Sequence, residues 1–145
     1  MVVSAAVLSG CLLFCSRPAD AHHSLAMYDR SQQKHFTGKV LRFIPASNHV
    51  VIIFEVLDDQ GKTQLNDEGK TLTWQVETGP ASSLARQGLN PTELPAGSII
   101  SMSLYPLRDG KHQGALSGPL VRCGTVVPAG GCTPETGQTQ VVKFD

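Results

Sequence analysis

Five short segments alternate apolar and polar residues with the period of two that is typical of β-strands. They span residues 34–44, 49–57, 71–77, 98–105 and 113–122. The second segment is the richest in β-branched and aromatic side chains, so we expect a central strand that is buried on both faces for part of its length. In the first segment, Gly38 would allow a bulge or a sharp coil.

One segment, Ala81–Gln87, has the composition of a helix, with Pro80 at its start and Gly88 as the expected C-cap. Residues 58–70 are polar and predict an exposed hairpin loop, and Asp109-Gly110 predicts a tight turn before the fifth strand. Three strands, a short helix and two strands are the order of the OB-fold. The sequence therefore predicts an all-β domain over residues 22–122, a small five-stranded OB-like Greek-key barrel with one short helix after strand three.

The first 21 residues resemble a cleaved secretory signal. Met1–Cys15 is almost wholly apolar, and Ala19 and Ala21 supply the two small side chains of a cleavage site between Ala21 and His22. A lipoprotein cleavage box ending at Cys11 is one alternative, but it would leave further apolar residues just after the lipid. A retained membrane anchor is another, but the apolar run is shorter than the roughly 20 residues that such an anchor needs. We expect a periplasmic or secreted protein without stable membrane insertion.

Two of the four cysteines, Cys123 and Cys132, remain after this cleavage. In an oxidising compartment they should form a disulfide, which would close a loop of about ten residues and contribute roughly 2 to 3 kcal/mol. Zinc is the alternative, but two cysteines with no histidine nearby are a poor ligand set. Residues 123–145 are thus expected to be a disulfide-closed loop and a C-terminal tail.

The chain has equal numbers of acidic and basic residues, 12 of each, which argues against nucleic acid as a partner. Ser24, Ser82 and Ser83 lack the Gly-x-Ser-x-Gly elbow of a hydrolase, and the sequence contains neither a phosphate-binding glycine loop nor a convincing pair of carboxylates. These absences favour a non-catalytic binding module over an enzyme.

The motif His22-His23-Ser24-Leu25-Ala26, the pair Asn48-His49 and the helix at 81–88 resemble a family of small exported bacterial proteins of unknown function. Its members begin their mature chains with His-His-Ser-Phe-Ala and carry Asn-Pro-His on strand two. The resemblance covers residues 22 to about 120 and implies a fold and a compartment, but no activity. This chain has Ser47-Asn48 where the family has proline before the histidine, and the cysteine-containing tail lies outside the pattern.

Cleavage after Ala21 would give His22 a free α-amine beside its imidazole, a chelating pair that favours copper(II). A second imidazole would complete a histidine brace, the arrangement of copper-dependent polysaccharide monooxygenases and periplasmic copper carriers. His49 is the first candidate for it and His23 the alternative. The competing interpretation is that His22 is first by chance and that His49 only caps a strand. A redox enzyme would need such a site to cycle copper, and nothing else in the sequence supports one.

A second cluster consists of Trp74, Glu77 and Arg86. OB-folds stack ligands on aromatic side chains, so Trp74 could be a platform for a small apolar or sugar-like ligand, or for another envelope protein, with Glu77 and Arg86 at its rim. The competing interpretation is that the only tryptophan of a small β domain belongs to its core.

Overall fold

The alternating segments form strands at nearly the predicted bounds. The computed structural model describes residues 25–140, where a 3₁₀ turn at Leu25–Met27 precedes six strands and one helix. These elements are β1 (Lys34–Ile44), β2 (Val51–Leu57), β3 (Thr73–Glu77), α1 (Ala81–Arg86), β4 (Ile99–Pro106), β5 (Gln113–Arg122) and β6 (Gln138–Gln140). β2 and β3 begin two residues later than predicted, and β4 is shifted by one residue.

The sheet closes into a barrel. β1 pairs antiparallel with both β2 and β4, β2 pairs with β3, and β4 pairs with β5. β3 and β5 close the barrel as a parallel pair, in which Gln75 lies opposite Gln113 and Glu77 lies opposite Ala115. This closed five-stranded mixed barrel, with its one short helix after β3, confirms the predicted OB-like fold.

The barrel is filled by the inward side chains of β1 to β5. β2 lies between β1 and β3, and its inward residues Ile52, Phe54 and Val56 are buried. Leu57 on the opposite face is buried as well, in a second cluster outside the barrel. The prediction that part of β2 is buried on both faces is therefore confirmed at Val56 and Leu57.

The bulge in β1 lies at Leu41 and not at Gly38, so the prediction of a bulge at that glycine is wrong. Val40 pairs with Phe54 and Arg42 with Ile53, which leaves Leu41 without a partner. Gly38 is paired regularly on both sides. A Cβ at this position would collide with the Phe54 ring. The glycine is needed because that ring packs directly on the backbone of β1.

The helix ends in a Schellman motif, close to the predicted cap. The C-cap residue is Gln87, and Gly88 follows it with φ of +77°. The amide of Leu89 donates to the carbonyl of Leu84 at 2.9 Å, and that of Gly88 to Ala85 at 3.0 Å. Leu84 and Leu89 are both buried in the main core, which fixes α1 over one end of the barrel.

The C-terminal part of the described chain packs on the barrel. The predicted disulfide between Cys123 and Cys132 is present, and Cys132 is buried beside Leu57, Ile99 and Val121. Beyond it, β6 pairs with the end of β5, a strand that the sequence analysis did not predict. Residues 123–140 therefore extend the sheet past the barrel. The only α-helix in the described part of the chain, α1, is far too short to cross a membrane.

Candidate functional site

Glu77 lies at the outer end of β3 and connects two distant parts of the chain. One carboxylate oxygen, Oε2, accepts a hydrogen bond of 2.6 Å from the Tyr28 hydroxyl, and the other, Oε1, lies 2.7 Å from Nδ1 of His49. The register of β2 and β3 explains the second contact. Val51 pairs with Glu77, and His49 precedes Val51 by two residues, so their side chains meet at this end of the sheet.

Tyr28 holds the N-terminal segment against the barrel. Its side chain is buried, its backbone forms a bridge with Leu107, and the next amide, of Asp29, donates to Pro106 at 2.7 Å. Burial, followed by the hydrogen bond to Glu77, raises the pKa of the Tyr28 phenol well above its usual range. The phenol is therefore a neutral donor, and Glu77 accepts from both of its partners.

Of the three predicted metal ligands, the structure describes one. His49 stands beside Glu77 with its side chain 41% exposed, whereas His22 and His23 lie outside the described residues. Within residues 25–140, no group of three or more histidine, cysteine, aspartate or glutamate side chains is arranged to hold a metal ion. The copper site stays a prediction, and what the structure adds is the carboxylate that holds His49.

Trp74 is a core residue with one edge near the surface. Its side chain is 5% exposed, and its ring lies 4.8 Å from that of Phe36. On the outside, the His112 ring stacks on it at 5.1 Å and an angle of 13°, and the Lys34 ammonium lies 5.1 Å from its centroid. The exposed ring of this stack is thus His112, which the sequence analysis did not single out.

The structure does not bring Trp74 and Glu77 together on one face. Side chains alternate along β3, so Trp74 points into the barrel and Glu77 points out. Arg86 is exposed in the last turn of α1. A shared ligand role for these three residues stays a prediction, while Glu77 has a described role in holding His49.

Within the described part of the chain, two surface clefts lie outside the Glu77 site. The predicted ligand residue Trp74 lines the smaller cleft, whereas no residue of the larger cleft was predicted to bind a ligand. The smaller has a volume of about 280 Å³ and is lined by Asp29, Gln32, Lys34, Trp74, Pro106, Leu107, Arg108, Gly110, Lys111 and His112. The larger has about 550 Å³ and is lined by Glu93, Leu94, Ser98, Arg122, Cys123, Gly124, Glu135, Thr136, Gly137 and Gln138. Both combine residues that are far apart in sequence, and no local motif marks such a combination.

Comparison with known proteins gives one result about the family and none about activity. Neither the curated proteins nor the solved structures gave a match to the chain. A family model, described as a family of unknown function, matches residues 10–116. That match includes His49, Trp74, Glu77 and Arg86, but it ends within β5, before the disulfide and β6. The chain therefore belongs to DUF6152, a family of unknown function.

Proposed function

We propose that this protein is an exported, non-catalytic binding module that holds one copper(II) ion at its mature N-terminus. In this proposal the signal is removed between Ala21 and His22, and the domain works in the periplasm or outside the cell. The ligands are the α-amine and imidazole of His22 and a second imidazole from His49. His23 is the alternative second imidazole.

The observation that carries the proposal is the 2.7 Å contact between Glu77 Oε1 and His49 Nδ1. Histidines that bind metals commonly donate their other ring N–H to a carboxylate, which fixes the tautomer and makes the coordinating nitrogen more basic. With Nδ1 held by Glu77, the nitrogen that would coordinate is Nε2. The pair supplies the orientation that a metal-binding imidazole needs.

The position of Tyr28 supports the N-terminal half of the site. Tyr28 is anchored on the same carboxylate that holds His49, and it follows His22 by only six residues. Six residues span at most about 20 Å when fully extended, so the α-amine of His22 is tethered within reach of His49. A tether of this length favours binding by both groups to one ion.

The compartment in this proposal is supported by the disulfide between Cys123 and Cys132. Disulfides persist in oxidising environments, which include the periplasm and the extracellular space. The apolar residues 1–15 and the small residues before His22 are the sequence features that favour export.

The test is copper titration of the secreted protein after its intact mass has confirmed His22 as the first residue. Calorimetry and the electron paramagnetic resonance spectrum of Cu(II) should show one tight site with nitrogen ligands. A version with one alanine added before His22 should lose this site, because the α-amine becomes an amide. Absence of stoichiometric binding, or equal binding by both versions, would overturn the proposal.

Single variants identify the second imidazole. His49→Ala should weaken copper binding if His49 completes the site, and His23→Ala should do so if the alternative holds. His35→Gln is the matched control, since the His35 ring lies between Ser101 Oγ at 3.1 Å and Ser103 Oγ at 3.2 Å on another part of the barrel. The control should bind copper like the parent protein.

A second candidate function is the binding of a small ligand or an envelope protein at the Trp74 face. The observation in its favour is the cleft of about 280 Å³ that the edge of Trp74 helps to line. Trp74 is the only tryptophan of the chain, so its fluorescence reports on this cleft alone. A ligand that binds there should change the emission, and a ligand that binds elsewhere should not.

A further inference from the structure

The smaller cleft has the size of a single-ring ligand. It lies between the loop that joins β4 to β5 and the segment that leads into β1, and its volume is about 280 Å³. Ligand pockets for drug-sized molecules begin at roughly 300 Å³. Backbone hydrogen bonds from Asp29 to Pro106 and from Arg108 to Met27 hold its two sides together.

The charge of this cleft is predominantly positive. Lys34, Arg108 and Lys111 line it, against a single lining carboxylate, Asp29. Lys111 forms an ion pair of 2.8 Å with Asp109, whereas Arg108 lies 4.0 Å from Asp29. Within residues 25–140, Lys34 has no carboxylate partner within 4 Å, and its ammonium lies over the Trp74 ring.

The one acid in the cleft is engaged by its own chain. Asp29 Oδ1 accepts hydrogen bonds from the hydroxyl of Ser31 at 2.6 Å and from its amide at 3.1 Å. These bonds, more than the guanidinium of Arg108, lower the pKa of Asp29. The acid therefore makes a short local turn and neutralises only part of the positive charge. The larger cleft differs, because Glu93 and Glu135 outnumber its one cation, Arg122.

The cleft also has a flat aromatic wall. His112 is exposed, lines the cleft and stacks on Trp74, which in turn packs on the half-buried Phe36. The wall is therefore backed by the buried Trp74 ring and fixed in orientation. A flat wall beside an ammonium without a carboxylate partner suits a ligand with a ring and a negative charge.

We propose that this cleft binds a small carboxylate attached to a single six-membered ring, with Lys34 and Arg108 contacting the carboxylate and His112 contacting the ring. The inference rests on the second candidate function, binding at the Trp74 face, and does not depend on copper. Two kinds of compound share this chemistry, namely sugar acids and carboxylic acids of apolar rings.

The test uses the full mature protein at low ionic strength with three probes, D-glucuronate, cyclohexanecarboxylate and D-glucose. Binding is followed by calorimetry and by Trp74 fluorescence. We expect at least one of the two carboxylates to bind and glucose to bind at least tenfold more weakly. The preferred carboxylate then identifies the source as a sugar acid or an apolar acid.

Variants link the binding to this cleft. Lys34→Gln should weaken the preferred carboxylate by about three- to tenfold, the range for one partly exposed charge contact. Lys62→Gln removes an exposed cation on the loop between β2 and β3 and should leave the affinity unchanged. Equal weakening by both variants would mean that only the net charge matters and would overturn the proposal.

The remaining outcomes separate this inference from the function on which it rests. If glucose binds as well as glucuronate and changes the Trp74 emission, the Trp74 face is a ligand site but the carboxylate proposal is wrong. If none of the three probes binds at millimolar concentration, the carboxylate proposal is wrong as well. The second candidate function would then depend on a small ligand of another class or on a partner protein.

Discussion

The carboxylate of Glu77 holds the imidazole of His49 at the junction of β2 and β3, with 2.7 Å between Oε1 and Nδ1. The acid is the more buried partner, since its side chain is 16% exposed against 41% for the histidine. His49 thus has a fixed, outward orientation next to the segment that leads back to the N-terminus.

Replacing Glu77 by glutamine should weaken copper binding by the mature protein about 10- to 100-fold, because the imidazole loses the carboxylate that orients it. Calorimetric titration measures this effect. Glu55→Gln is the matched control, as Glu55 lies on the neighbouring strand with the same 16% exposure but pairs with Lys39. If the Glu55 variant lost as much affinity as the Glu77 variant, the orienting role of Glu77 would be refuted.

Tyr28 should make the protein lose stability at alkaline pH. Its pKa is raised in the folded state, chiefly by burial, so the unfolded chain releases the phenolic proton first, near pH 10. The stabilising effect of the neutral phenol is therefore complete below about pH 10 and is lost as the pH rises from there towards the folded-state pKa. Urea unfolding between pH 8 and pH 11 measures this loss.

The variant Tyr28→Phe should reduce the free energy of unfolding at neutral pH by about 1 to 2 kcal/mol through loss of the hydrogen bond to Glu77. It should also show a shallower decline above pH 10 than the parent protein. Tyr105→Phe, which leaves the hydrogen bond to Glu77 intact, is the control at neutral pH, and its free energy of unfolding should stay closer to that of the parent. Parallel curves for the parent and the Tyr28 variant would contradict the assignment.

Gly38→Ala should destabilise the barrel by about 1 to 3 kcal/mol, because the added methyl group would collide with the Phe54 ring. Gly118→Ala on β5 is the control. A Cβ there meets nothing within 4 Å, so the free energy of unfolding should change by less than about 1 kcal/mol. Chemical unfolding of the two variants side by side gives the difference, and similar values would argue against close packing at Gly38.

Trp74→Ala should lower the free energy of unfolding by about 3 to 5 kcal/mol, which is a large share of the stability of one small domain. His112→Ala removes only the exposed ring of the stack and should cost less than about 1 kcal/mol. Thermal unfolding distinguishes the two. A Trp74 variant that stays fully stable but loses ligand binding would instead make Trp74 the platform itself, as the sequence alone allowed.

The elements with alternating patterns were predictable, and the fold followed from their order. β6 was not predictable, because Gln138, Thr139 and Gln140 are all polar and carry no alternation. The strand exists because the end of β5 offers it hydrogen bonds, and Arg122 donates to the Gln138 side chain at 2.8 Å. Such a strand depends on its neighbour and not on its own sequence.

Some residues of the candidate sites were predictable, but the way in which they combine was not. His49 and Glu77 both stood out in the sequence, but in separate hypotheses. Their contact depends on the register of β2 against β3, and a long loop, residues 58–72, leaves that register undetermined by local turn geometry. Likewise, Lys34 and His112 share a cleft only because the barrel closes, and no sequence pattern spans that separation.

The parallel seam between β3 and β5 bears on how the chain folds. Residues 75–77 can pair with β2 early, but the parallel seam cannot form until residues 113–115 are available, and β1 must also pair with β4, 60 to 70 positions later. Contacts between residues so far apart in the sequence slow folding, and strand edges stay unpaired until these contacts form. The barrel cannot form while β5 is still inside the ribosome. If the protein is exported, as we propose, the chain would therefore reach an export channel unfolded, and folding and disulfide formation would follow on the far side.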